Sequence, residues 1–127
     1  MSKPILIIAA FTICTAIILG AMAAHGLESI LSADLIESFE KGVRYQFYAG
    51  FSLLILGAIK DKFVFSLRWF TWLTIAGVKL FSGCIYLYCF HEQVPVLKPL
   101  VYLVPIGGLL MILAWVVFMI QLIRFQK

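Results

Sequence analysis

From Pro4 to Ala24 the chain carries no charged residue. That matches the roughly 20 residues an α-helix needs to cross the ~30 Å hydrocarbon core of a bilayer. Further apolar runs follow, and the predicted spans are 4–24, 42–60, 67–90 and 99–123. Composition agrees: 64% of the 127 residues are hydrophobic and 13% are charged, against about 25% charged in a soluble domain. The expected fold is all-α, a single domain over 1–127, forming an integral membrane four-helix bundle in the lipid bilayer.

The first run also has features of a secretory signal, with Lys3 before it and Ala21-Met22-Ala23 near its end. It is long for a signal core of about 7–15 apolar residues and is expected to be a retained helix. Before the second span, Ser32 is a good helix N-cap with Asp34 in the first turn. No strong breaker follows until Lys60. About 28 residues of helix at ~1.5 Å each give roughly 42 Å, longer than the hydrocarbon core. Residues 33–41 are therefore expected to project as an amphipathic start. Glu37 with Lys41, and Glu40 with Arg44, are expected as pairs on that part. Arg68, Trp69 and Trp72 open the third span as interfacial anchors. Pro105 either kinks the fourth helix or marks where its regular part begins.

Four spans put both termini and the turn at 60–68 on one side. Lys3, Lys60, Lys62, Arg68, Arg124 and Lys127 lie there, against Lys41, Arg44 and Lys98 on the other. The excess of basic residues predicts cytoplasmic termini. It also accounts for the net charge of +4, so nucleic-acid binding is not expected.

The stretch FEKGVRYQFYAG at 39–50 brings the strongest polar residues into an apolar span. Polar groups in hydrocarbon require partners. Arg44, Tyr45, Gln46 and Tyr48 are thus candidates for a polar cluster at the non-cytoplasmic side, with His25 from the end of the first span. Interface anchoring is the alternative reading: tyrosines at headgroup level, Arg44 paired with Glu40, Gln46 bonded to a neighbouring helix. Lys79 is expected near the bilayer middle, where a charge costs about 2.5–3.5 kcal/mol on insertion scales. It shares a helical face with Trp72, Ala76, Ser82, Gly83 and Tyr86. No carboxylate lies at matching depth. Small residues at Ala16, Gly20, Ala24, Gly83, Gly107 and Gly108 are expected to let helices approach closely.

Other chemistry is excluded on pattern. Cys14, Cys84 and Cys89 all lie in apolar spans, and Cys84 and Cys89 point in different directions on one helix. They are expected to pack as small buried thiols. His25 and His91 lack the surrounding Cys, His or carboxylate pattern of a metal site. No metal, haem or other cofactor is expected. No P-loop, G-x-S-x-G, HExxH or catalytic carboxylate pair is present. No catalytic residue is assigned, and the protein is expected not to be an enzyme.

Four motifs occur in order, one per span: GAMAAHGL at 20–27, FEKGVRYQFY at 39–48, LFSGCIYLY at 80–88 and PIGGLLMILAW at 105–115. Over nearly its whole length the chain resembles small four-span membrane proteins of unknown function, the bacterial UPF0382-type inner-membrane proteins and eukaryotic transmembrane protein 256. The matching positions are Gly20, Ala24, His25, Gly26 and Leu27; Arg44, Tyr45, Gln46 and Tyr48; Phe81, Ser82, Gly83 and Tyr86; Pro105, Gly107, Gly108 and Trp115. The resemblance implies a bacterial cytoplasmic (inner) membrane location and a cluster of His25, Arg44, Tyr45, Gln46, Tyr48, Ser82 and Tyr86. It implies no reaction. Ala49 stands where the family usually has histidine, and Lys79 where it usually has an apolar residue.

The leading expectation is a non-enzymatic accessory or scaffold protein that binds other membrane proteins or itself. The alternative is a lipid, quinone or small-ligand binder using the polar cluster. A proton or ion pathway through Lys79 is the third reading, and it requires a water-filled cavity reaching one surface.

Overall fold

The computed structural model describes residues 1–126 and is all-helical over them. Helix α1 runs Lys3–His25, with Pro4 in its first turn, where the missing N–H has no helical partner. Helix α2 runs Ala33–Ala58 and starts at Ser32, whose side chain accepts a 3.3 Å hydrogen bond from the Leu35 amide. Helix α3 spans Arg68–Tyr88 and contains one wide π turn at Lys79–Gly83. A 3₁₀ stretch, Pro95–Leu103, leads into helix α4, Val104–Phe125. Pro105 lies in the first turn of α4, so it begins the regular helix rather than kinking one. The fourth helix thus starts later than the expected residue 99, because Pro95 and Pro99 interrupt the donor pattern before it.

Helices α1 and α2 form one antiparallel pair. Their contact is built on small residues a heptad apart: Ala9, Ala16 and Ala23 on α1, each almost fully buried, and Gly50 and Gly57 on α2. A Cβ on Gly50 would lie 2.6 Å from Ile13, and one on Gly57 2.8 Å from Ile5. Gly20 faces Val43 at the far end of the same seam. Seven-residue spacing keeps a seam on one face, and small side chains let the backbones close up. The expected stripe of Ala16, Gly20 and Ala24 is therefore corrected: Ala16 is central, Gly20 sits at the edge, and Ala24 is exposed.

Helices α3 and α4 form the second pair. They cross at Gly77 and Gly107, where a Cβ on Gly107 would lie 2.7 Å from the Gly77 carbonyl oxygen and one on Gly77 2.9 Å from the Gly107 oxygen. The π turn begins two residues after Gly77, and the backbone around Phe81 passes against Gly107. Gly108 makes only ordinary contact with Phe81, and nothing lies within 4 Å of a Cβ on Gly83. Gly83 is thus not a packing position.

The core divides into two apolar clusters. One, near the termini, joins Ala9, Leu53, Phe70, Ala114 and Phe118 from all four helices. The other gathers Ala23, Leu27, Phe39, Val43, Ile85 and Cys89. Residues 33–41 are part of the bundle: Phe39 is buried, and the Cys89 thiol meets the Leu35 carbonyl at 3.3 Å, while Asp34, Glu37 and Glu40 face outward. Cys84 and Cys89 are buried, but Cys14 is exposed on the outer face of α1. The chain ends meet the same end of the bundle. The Ser2 amide bonds the Gly57 carbonyl at 2.9 Å, the Met1 amine pairs with Asp61, and Gln126 bonds Lys62 and Val64.

Among the described residues, three helices are long and apolar enough to cross a membrane: α1, α3 and Pro95–Phe125. Helix α2 falls short because Lys41, Arg44 and Gln46 dilute its apolar half.

Candidate functional site

Gln46 lies one turn from the Gly50 contact, on the face of α2 that meets α1, and only 8% of it is exposed. A primary amide so placed must find partners. Its Nε2 donates to the Thr12 carbonyl at 2.9 Å and to the Thr15 hydroxyl at 2.7 Å. Its Oε1 accepts from the Tyr86 hydroxyl at 2.7 Å. Thr12 and Thr15 also donate to carbonyls one turn earlier on α1. Ser82, fully buried, donates to the Gly42 carbonyl at 2.6 Å. Gly42 is required here: a Cβ would lie 2.8 Å from the Tyr86 ring, which also packs on Phe39 with centroids 4.7 Å apart.

This network ties α1, α2 and α3 together between the two apolar clusters. It sits near the middle of α1, since Thr12 and Thr15 flank the midpoint of Lys3–His25. Gln46, expected where its apolar run begins, thus lies level with the middle of α1.

The network forms the floor of a cleft of about 590 Å³ between α1 and α3. Ile7, Ile8 and Phe11 line the α1 side; Trp72, Ile75 and Val78 line the α3 side; Leu53 of α2 also lines it. Lys79 lines the same cleft and is its single charged residue. The π turn places Lys79, Ser82 and Tyr86 towards this side while Phe81 turns to α4 and Tyr45. Among the described residues the one ion pair is Met1 with Asp61, so Lys79 has no internal counter-charge.

The expected cluster is thus brought together in part. Gln46, Ser82 and Tyr86 join it. His25 and Arg44 do not: both are exposed, on outer faces of α1 and α2. The expected pairs of Glu40 with Arg44 and Glu37 with Lys41 are also not formed. These side chains lie on the outer surface, where solvation competes with pairing. His91 lies at the opposite end from the termini, stacked on Tyr88 and bonded to its carbonyl at 2.8 Å.

Tyr45 and Tyr48 belong to a second cleft, of about 350 Å³, between α2, α3 and α4. Tyr45 packs edge-on to Tyr48 and tilts against Phe81. Ala49, Ser52 and Thr74 also line this cleft, and the buried Thr74 hydroxyl has no hydrogen-bond partner. Sequence reasoning missed Thr12 and Thr15. Their spacing of three on one helix face was visible, but only the register of α1 against α2 identifies them as the partners of Gln46.

The family model described as protein of unknown function (DUF423) matches residues 19–108. A UPF0382 membrane protein of Staphylococcus aureus is 34% identical over 123 residues, covering 97% of this chain and 98% of its own. Those of Staphylococcus haemolyticus and Staphylococcus epidermidis are 38% identical over 106 residues and 36% over 123, covering 84% and 97% of this chain and 84% and 98% of their own. No solved structure matches.

Proposed function

This chain belongs to the DUF423 family, and we propose that it is a membrane-embedded binding protein whose receptor site is the cleft between α1 and α3. The carrying observation is a 590 Å³ recess, mostly apolar, with one cation on its wall and a saturated polar network at its floor. That size and lining are those of ligand sites, which run to about 300–1,000 Å³. The chain is a membrane protein, the word its relatives' names use of them, with helices long and apolar enough to span a bilayer.

Helix α2 is the fourth span in this reading. Its residues from Val43 to Gly57 lie beside α1 from Gly20 to Ile5, so the two helices occupy the same depth. The terminal end of the bundle carries Lys3, Lys60, Lys62, Arg68 and Arg124. It therefore faces the cytoplasm of a bacterial cell under the positive-inside rule.

The accessory-protein reading places another membrane protein on the same face. It is supported by the exposed Ala76 and the open Gly83 beside Lys79. A proton path through Lys79 has less support, because every polar neighbour in the network is already engaged.

Native mass spectrometry of the full chain in mild detergent tests the receptor reading. The expected result is a one-to-one adduct, of lipid-like or protein mass, that disappears when Ile75→Trp fills the cleft. An adduct pattern unchanged by that substitution, or the bare chain alone, contradicts it.

A further inference from the structure

We infer that the occupant of the α1–α3 cleft is a long-chain carboxylic acid, its carboxylate against Lys79 and its chain along Phe11, Trp72 and Ile75. This rests on the receptor reading above. Charge is the first argument. Lys79 is the single charged residue on the cleft wall, and it lies halfway along Arg68–Tyr88. A cation at that depth is stabilised by an anion that comes with it into the apolar region.

Hydrogen-bonding capacity is the second. Both Gln46 N–H groups and its carbonyl are engaged, and the protons of Tyr86, Ser82, Thr12 and Thr15 are donated elsewhere. Lys79 is the one charged donor left for a ligand, with the Trp72 indole N–H the neutral one beside it. A molecule with several polar groups would leave some of them without partners against this apolar lining. An amphiphile with a single acceptor head meets the supply.

An extended acyl chain suits the apolar lining and the volume of about 590 Å³. An ordinary phospholipid head lies about 15 Å from mid-span, half the hydrocarbon thickness. A single-chain acid can cross that distance protonated and ionise beside the ammonium group.

The test is carbon-13 NMR of carboxyl-labelled palmitic acid titrated into the full chain in phosphatidylcholine nanodiscs. A second carboxyl resonance that saturates at one equivalent is expected. It should persist in Lys79→Arg and in Lys3→Met. Affinity should fall about tenfold or more in Lys79→Met, matching loss of a charge-assisted bond, with the helical circular dichroism unchanged. Hexadecanol should compete about tenfold more weakly. Only the bilayer-partitioned resonance, or equal affinity in Lys79→Met, overturns the inference. A photo-reactive residue at Phe11 separates the two levels. A captured protein there, with no palmitate resonance, overturns the acid and leaves the receptor site standing. Labelling no different from lipid-facing Ile17 overturns both.

Discussion

The Tyr86 hydroxyl donates to the Gln46 side-chain carbonyl at 2.7 Å, and the same amide reaches Thr12 and Thr15 on α1. One side chain on α2 therefore holds α1 and α3. Interhelical hydrogen bonds in membranes average about 0.6 kcal/mol and reach about 1.7. Gln46→Leu should cost about 1–2 kcal/mol in a reversible detergent unfolding titration, and Tyr86→Phe about 0.6. The double variant should show a coupling of roughly 0.5 kcal/mol or more, whereas independent sites add within about 0.3–0.5. Arg44→Gln should fall within about ±0.5 kcal/mol, since that side chain is exposed and unpaired.

Gly77 and Gly107 set the α3–α4 crossing, and Gly83 does not. Gly107→Ala should destabilise by about 1–3 kcal/mol through overpacking against backbone that cannot turn aside. Gly83→Ala should be neutral or stabilising by up to about 1 kcal/mol, because the added methyl meets nothing and the helix gains rigidity. Unfolding of both variants in the same detergent checks the contrast. Equal effects would contradict the assigned crossing.

The seam of α1 makes a parallel case. Ala16 is fully buried and Ala24 is exposed. Ala16→Leu should push α1 from α2 and cost about 1–3 kcal/mol, and Ala24→Leu should change little. If Ala24 is the sensitive position, the helix faces lipid on the wrong side.

Much of this architecture was legible in the chain because hydrocarbon demands helices and fixes their length. Ser32 marked a helix start and Pro105 either a kink or a start, both for local reasons, and in the structure both stand at helix starts. The site was less legible. Gln46 stands out as a costly polar group in an apolar run and Tyr86 through its motif, but their partners depend on the register between helices. That register is set by Ala9, Ala16 and Ala23, a heptad seam that the four-residue spacing of Ala16, Gly20 and Ala24 concealed. Arg44 shared the motif with Gln46 yet points outward, because two residues along a helix turn a side chain by about 200°. The π turn at Lys79–Gly83 left no sequence signal beyond its neighbouring glycines.

Sidedness gives a further expectation. Lys62 lies at the terminal end and Glu37 at the other. With Cys14, Cys84 and Cys89 replaced by alanine, Glu37→Cys in intact cells should react with a membrane-impermeant maleimide. Lys62→Cys should react only after lysis. The reverse pattern would invert the orientation that the basic residues predict.

The claim that the α1–α3 cleft is a receptor site is tested most directly by photo-crosslinking in native membranes. A diazirine side chain is placed at Phe11, which lines the cleft, or at Ile17, which is exposed on α1 outside it. One discrete adduct is expected from Phe11, diminished when Lys79→Met is introduced, and only diffuse bulk-lipid labelling from Ile17. Identical diffuse labelling at the two positions would contradict it.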